Sequence, residues 1–221
     1  IERYLAISGH DVNDGSTDDG PDLVLGFAAT SGLAVRMIDG PCTGVAAARN
    51  RGIAAARGDL VALMDADDLW HPDKVLHQVR HLDDTGASVS ISGFEMFPGG
   101  RDGVRWVVAH DDADRAVHHW LAMEGDGMLI SSTALIRRDA FGVIGLFDLD
   151  FSVSADLEFM IRAVRLSTVA ELPEALCEYR LHPGQMHRRT DDLISDMARL
   201  HRAMDRRDSK AAVRCHANRH A

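Results

Sequence analysis

Three aspartates follow a short apolar run in the segment VALMDADDLWHP, residues 61–72. Aspartate is rarely buried without a partner. On an extended segment Asp65 and Asp67 point to the same side, because side-chain direction repeats every two residues. Two such carboxylates repel each other unless a cation neutralises them, and oxygen ligands suit Mg²⁺ or Mn²⁺, which could in turn hold a diphosphate. Taken alone, however, this short motif is more often a solvated turn with a helix-capping aspartate.

Two other polar segments carry groups that could do chemistry. VNDGSTDDG, residues 12–20, predicts a tight turn with several exposed hydrogen-bonding groups, or simply a turn that caps the following helix. SADLEFMIR, residues 154–162, places Asp156 at the start of a helix, where the helix dipole by itself also favours a carboxylate. Each segment has a structural explanation when it is considered in isolation.

The elements that position these segments alternate between helix and strand in the first half of the chain. Hydrophobic periodicity and turn residues predict helices over 44–57, 71–84, 114–124 and 156–166, and a polar helical region from Thr190 onward. Strands are predicted over 59–65, 88–97, 103–109 and 132–138, with two short strands around Pro173. The alternation favours an α/β domain with parallel strands, in which ligands bind beyond the carboxyl ends of the strands. Before VNDGSTDDG there is little room for a full strand.

Composition limits the class of protein. The chain has 221 residues, 46% of them hydrophobic, and a net charge of −10, which argues against general nucleic-acid binding and is compatible with a cation site. Its three cysteines lie far apart without C-x-x-C spacing, which suggests free thiols in a reducing compartment. No apolar run is long enough to span a membrane, so we expect a cytoplasmic protein, with peripheral association at the inner membrane face left open.

Taken in order, the motifs VNDGSTDDG, AAARNRGIAAARGDLVALMDADD, IGLFD, SADLEFMIRA and YRLHPGQM resemble the bacterial family 2 glycosyltransferases of the GT-A fold. The resemblance covers roughly residues 11–190. It implies a Rossmann-like mixed sheet flanked by helices over residues 1–189, followed by a C-terminal helical extension over 190–221. We expect that extension to be a solvated closing helix, although pairing with another subunit in a homo-oligomer is also open.

The resemblance also implies a donor site and a metal site for Mn²⁺ or Mg²⁺. Its donor-binding candidates are Asp14 for the nucleotide base, Asp65 for the ribose or the water shell of the metal, and Arg49 for the sugar or phosphates. Its metal candidates are Asp67 first, with Asp68 and His182 as additional ones. An exposed helix arginine is an equally good explanation for Arg49, and a structural histidine is the commoner one for His182.

The implied reaction is the inverting transfer of a sugar from a nucleotide-diphosphate sugar, with UDP or dTDP donors expected, to a carbohydrate or small-molecule acceptor. Asp156 would be the general base that removes the proton of the attacking hydroxyl. The chain departs from the family at Ala155, where a glutamate is usual, and at the N-terminus, where an apolar strand is expected and missing. Two alternatives are therefore retained: a degenerate sugar-nucleotide-binding protein and, less favoured, a sugar nucleotidyltransferase.

Overall fold

The computed structural model describes residues 8–97, 105–106 and 130–217. Residues 1–7 and the helix predicted over 114–124 lie outside the described residues. The strand predicted over 103–109 is seen only at Arg105–Trp106. No helix in the described ranges is long and apolar enough to cross a membrane.

The N-terminal part of the chain is a small βαβ unit. Strand β1 (Ser8–Asn13) leads into helix α1 (Gly20–Thr30) and then strand β2 (Ala34–Asp39), which pairs with β1 in parallel from Ser8↔Ala34 to Asn13↔Asp39. A strand is therefore present where the sequence left little room for a full one. It fits because it continues two residues into the motif VNDGSTDDG and ends at Asn13.

These two strands form their own sheet, separate in the described ranges from the six-stranded sheet that follows. None of residues 9–44 is buried, so this unit contributes little to the core.

The second sheet is mixed, as the family resemblance implies, whereas the alternation of helix and strand by itself favoured parallel strands. Its strands are β3 (Leu60–Ala62), β4 (Leu69–Trp70), β5 (Val89–Phe97), β6 (Arg105–Trp106), β7 (Ala134–Arg137) and β8 (Val169–Arg180). The order is β3-β7-β5-β8-β4, with β6 on β5, and β5 and β8 are the one parallel pair among them.

The two short strands predicted around Pro173 are one strand, β8. The register skips from Ser92↔Leu172 to Gly93↔Ala175, so residues 173 and 174 bulge out of the ladder. A bulge here avoids the loss of a ladder hydrogen bond, because proline has no N–H to donate.

In the described ranges, five α-helices follow α1. They are α2 (Val45–Ala55), α3 (Lys74–Thr85), the short α4 (Phe141–Ile144), α5 (Ala155–Leu166) and α6 (Thr190–Ala217). Helix α2 is short of the predicted 44–57 at both ends, whereas α5 matches its predicted range to within one residue. On α3, Val79 and Leu82 are the buried apolar residues. Lys74 and Gln78 are buried beside them, which the pattern did not predict.

The core lies between β5, β7 and the helices α2 and α5. Val89 and Ile136 are fully buried, and Phe159 on α5 stacks on Phe147 with ring centroids 4.5 Å apart. Helix α6 joins the same cluster through Leu200, which is buried, and Met197. The expectation of a solvated closing helix therefore fails for the first half of α6, because its apolar face covers the core.

Candidate functional site

The acidic segment after β3 folds as a tight turn and is not extended. Strand β3 ends at Ala62, and the N–H of Asp68 donates to the carbonyl of Asp65 at 3.1 Å. The two-residue alternation expected for Asp65 and Asp67 does not apply to a turn, and their side chains reach different partners. The N–H of Asp65 donates to Ser132 Oγ at 2.9 Å, which ties the turn to the chain beside β7.

Asp65 pairs with Arg49 of helix α2. Nη2 of Arg49 donates to Oδ1 of Asp65 at 2.7 Å, and the arginine side chain keeps only 13% of its exposure. The guanidinium also lies over the Phe147 ring, 5.3 Å from its centroid. Because it is ordered by both contacts, Arg49 is not an exposed helix arginine, and the structure places it in the candidate site.

Asp156 lies in the first turn of α5 and is electrostatically coupled to this pair. Burial raises the pKa of its carboxyl to about 6; the nearby Arg49 charge works against the rise and the Asp65 charge adds to it. The residue keeps partial exposure to solvent, and the N–H of Leu157 donates to its Oδ1 at 2.9 Å. The structure therefore brings Asp65, Arg49 and Asp156 together from three separate segments.

Asp67 meets His182, which follows β8. Nε2 of His182 lies 2.9 Å from Oδ2 of Asp67, although 115 positions separate the two in sequence. The N–H of Gly184 donates to Nδ1 of the same ring at 3.2 Å, so Nδ1 is the acceptor and Nε2 carries the proton. In this tautomer His182 donates to the carboxylate, and a ring nitrogen with its proton cannot also bind a metal. Its contacts thus fit a residue that orients Asp67.

Asp68 is buried beneath the turn. Its Oδ1 accepts the N–H of Arg180 at 3.2 Å, and its Oδ2 has no hydrogen-bond partner among the described residues. Burial raises the pKa of this carboxyl, and the charges of Asp65 and Asp67 add to the rise. Arg180 also donates from Nε to the carbonyl of Asp67 at 2.7 Å, so it holds two points of the turn.

Asp14 lies beside the start of helix α2. Its Oδ2 accepts the N–H of Gly44 at 2.7 Å, and its Oδ1 accepts Nη1 of Arg51 at 2.8 Å. Although burial alone would raise it, these hydrogen bonds and the Arg51 charge leave the pKa of Asp14 below its ordinary value. Gly40 allows this packing, since a Cβ there would lie 2.4 Å from Arg51 Nη1 and 2.5 Å from Asp14 Oδ1.

Helix α2 thus serves both parts of the site. Arg49 and Arg51 are two residues apart, about 200° around a helix, and point to opposite faces. Between them, Asn50 exchanges two 2.9 Å hydrogen bonds with the backbone of Phe147, which fixes the IGLFD segment against the helix.

The sequence pattern did not indicate a role for several residues of this site. Arg51 and Asn50 lie inside the motif RNRG, and Arg180 inside YRLHPG, so the motifs contain them without indicating their roles. Ser132 begins a predicted strand, and the sequence does not indicate its role; it accepts the N–H of Asp65 through its side chain and Nε1 of Trp70 through its carbonyl, each at 2.9 Å. Trp70 is partly buried and packs against the cluster formed by Phe94, Ile130 and Cys177.

The sequence profile of glycosyl transferase family 2 matches residues 11–145. An uncharacterized glycosyltransferase of Mycobacterium tuberculosis is 30% identical over 201 residues, which are 90% of this chain and 73% of that protein. The putative glycosyltransferase EpsH of Bacillus subtilis is 29% identical over 180 residues, covering 77% of this chain and 51% of EpsH.

The fold is shared with solved structures, among them these two. Staphylococcus aureus TarS in complex with UDP-GlcNAc superposes with a TM-score of 0.66 at 16% identity, covering 83% of this chain and 52% of that one. The mannosyltransferase PcManGT of Pyrobaculum calidifontis, in complex with GDP-Man and Mn²⁺, gives a TM-score of 0.64 at 18% identity, with 90% and 55% coverage. The chain therefore spans about half the length of EpsH and of both solved structures. The likeness confirms the predicted GT-A architecture.

Proposed function

Because the chain belongs to glycosyl transferase family 2 and is a glycosyltransferase, we propose that it transfers a sugar from a uridine or thymidine diphosphate sugar to an acceptor hydroxyl by one inverting displacement. The observation that supports this most is the convergence of Asp65, Arg49 and Asp156. Such a displacement requires a base for the acceptor and groups that bind the donor. Asp156 supplies the base, and the Asp65 carboxylate and the Arg49 guanidinium supply the donor-binding groups.

Asp156 is the proposed general base. Its pKa of about 6 leaves it mostly ionised at pH 7, yet makes it a stronger base than an ordinary carboxylate. It takes the proton of the acceptor hydroxyl while that oxygen attacks the anomeric carbon and the bond to the diphosphate oxygen breaks. Attack from the face opposite the leaving group inverts the anomeric configuration. Arg49 is positioned by Asp65 and Phe147 to bind the donor beside this base.

Asp14 is the proposed contact to the nucleotide base. Its lowered pKa keeps it ionised, so it acts only as a hydrogen-bond acceptor. Uracil and thymine present one ring N–H donor, whereas cytosine presents an acceptor at the same ring position. Each Asp14 oxygen already accepts one protein hydrogen bond, which leaves one lone pair on each oxygen for the base. The proposed preference for uracil or thymine over guanine therefore rests on the family resemblance, and the nucleotide titration below tests it.

The residues after β3 suit a divalent cation held jointly with the donor. The described residues contain no group of three or more His, Cys, Asp or Glu side chains arranged to hold a metal alone. Mg²⁺ and Mn²⁺ on nucleotides commonly take one or two carboxylates and complete their shell with phosphate oxygens and water. Asp67 has 42% of its side chain exposed, and Asp68 has an unpartnered buried oxygen. When bound, the cation would neutralise charge on the departing diphosphate.

Titration calorimetry tests the donor site. UDP, dTDP and GDP would be titrated with and without Mn²⁺ into the parent chain, the Asp67→Ala variant and an Asp73→Ala control. Asp73 is an exposed acid just beyond the turn, so its removal changes the local charge without touching the site. We expect Mn²⁺-dependent binding of UDP or dTDP that is lost only in Asp67→Ala. Equal binding with and without metal, or a preference for GDP, would contradict the metal or the base assignment.

Turnover is tested on the donor alone, with water as acceptor. Slow hydrolysis of a UDP-sugar should release UDP and, by ¹H NMR, the sugar with inverted anomeric configuration. Both should disappear in Asp156→Asn. Binding without any turnover would favour the degenerate protein, and release of inorganic diphosphate instead of UDP would favour the nucleotidyltransferase.

A further inference from the structure

The start of helix α5 is held by a side chain of helix α6. Ser154 is the N-terminal capping residue of α5, but its side chain makes no capping hydrogen bond. Instead its N–H donates to Oδ2 of Asp196 at 3.0 Å. The N–H of Ser152 donates to the same oxygen at 3.0 Å, and the Ser152 hydroxyl lies 3.4 Å from it. One carboxylate oxygen thus accepts two backbone N–H groups from the segment just before Asp156.

This contact is buried and supported. Asp196 is 4% exposed and Ser154 is 3% exposed, so water cannot readily replace the carboxylate. On the same face of α6, Arg199 donates to the carbonyl of Asp150 at 2.8 Å and lies 5.8 Å from the centre of the Phe151 ring. Leu200, also buried, anchors this part of the helix in the main core. The hydrogen bonds between Asp196 and the segment at Ser152 and Ser154 are therefore part of the packed domain.

We propose that Asp196 is a positioning residue for Asp156: it fixes the first turn of α5, and hence the direction in which the Asp156 carboxylate faces the acceptor. Asp156 follows Ser154 by two residues, so a shift of the segment at Ser152 and Ser154 moves the carboxylate with it. Asp196 acts on this segment by accepting the N–H groups of Ser152 and Ser154, so the proposed role is one of position. The proposal rests on the proposed role of Asp156 as general base.

Three substitutions separate geometry from charge. Asp196→Asn keeps an oxygen at the same distance from the helix and can accept both N–H groups, because both donate to the single oxygen Oδ2. Asp196→Glu keeps the charge but displaces the oxygen by one methylene. Asp196→Ala removes the acceptor. Asp191→Ala, an exposed acid in the first turn of α6, is the matched control.

We expect kcat for donor turnover to fall about 10- to 100-fold in Asp196→Ala and Asp196→Glu, since a misplacement of about 1 Å can cost this much. Asp196→Asn and the control should stay within about threefold of the parent chain, and the Kd for UDP with Mn²⁺ should stay unchanged in all four. Full activity in Asp196→Glu, or a loss in Asp196→Asn as large as in Asp196→Ala, would overturn the positioning role. If Asp196→Ala does not fold, the Glu and Asn variants still decide.

A readout that needs no turnover keeps this inference apart from the proposed function. The pKa of Asp156 follows from the pH dependence of the stability gained on Asp156→Asn, measured in each Asp196 background. A carboxylate released from its fixed, buried position should titrate closer to 3.8 than to about 6 in Asp196→Glu. If it still titrates near 6 there, the inference fails, whether or not the chain transfers sugar.

Discussion

Replacing Asp156 by asparagine should stabilise the fold at neutral pH, although it removes the proposed base. The folded protein raises the pKa of this carboxyl from 3.8 to about 6, chiefly by burial. The raised value means that the folded state binds the proton more tightly than the unfolded state. Ionisation between these pH values therefore costs stability, which is lost as the pH rises from about 4 to about 6. Asparagine mimics the protonated form and carries no such cost.

The size of the effect follows from the two pKa values. A rise of about two pH units, at about 1.36 kcal/mol per unit, corresponds to about 3 kcal/mol at pH 7. By the same linkage relation, the stability gained on Asp156→Asn falls to about 1.6 kcal/mol at pH 5 and about 0.5 kcal/mol at pH 4. Urea unfolding of the parent chain and Asp156→Asn across pH 4–7.5 measures this difference directly, without any knowledge of the substrate.

Asp14→Asn is the opposite control. Because the pKa of Asp14 is lowered in the fold, its charge contributes stability that is present above the ordinary pKa and lost on acidification, so its removal should destabilise the protein at pH 7. A stability gain for Asp156→Asn that does not change with pH, or no gain at pH 7, would refute the reasoning. It would show that the Asp156 carboxylate is better solvated than its surroundings indicate.

Three further outcomes follow from buried or paired groups. Arg162→Met should lower the free energy of unfolding in urea by about 3–5 kcal/mol, because it leaves the buried Glu158 carboxylate unpaired. The control Arg165→Met removes an arginine that has no ion pair among the described residues, so it should lower the free energy of unfolding by less than about 0.5 kcal/mol. The pKa of buried Lys74 is lowered from 10.5 to about 8, so between these pH values the unfolded chain binds one proton more than the folded one. The stability of the parent chain relative to Lys74→Met should therefore rise by about 1.4 kcal/mol per pH unit in this range. A difference that does not change with pH would contradict this. His182→Ala should weaken Mn²⁺-dependent UDP binding about 10- to 100-fold, and His182→Gln, which can still donate to a carboxylate, should restore much of it; equal losses would exclude the orienting role.

The local elements were predictable because their signals are local. The apolar spacing of residues 156–166 predicted α5 to within one residue, and the alternation over 88–97 predicted β5 equally well. The β8 bulge was missed, since the same proline that interrupts a strand pattern can be carried inside a strand if the ladder shifts around it. The backbone at Asp65–Asp68 was left open by the sequence, because three aspartates after a strand are compatible with either an extended or a turned backbone; the structure shows the turn.

The sequence by itself determined the family, the order of the motifs and the chemical types available to the site, because these depend on which residues are present and in what order. Only the tertiary structure decided the partners. It assigned Arg49 to Asp65 and Arg51 to Asp14, brought His182 to Asp67 across 115 positions, and placed Asp196 against the start of α5. The reason is physical: backbone preference is set by near neighbours in sequence, whereas the pairing of charges depends on which elements pack together and on what water is excluded when they do.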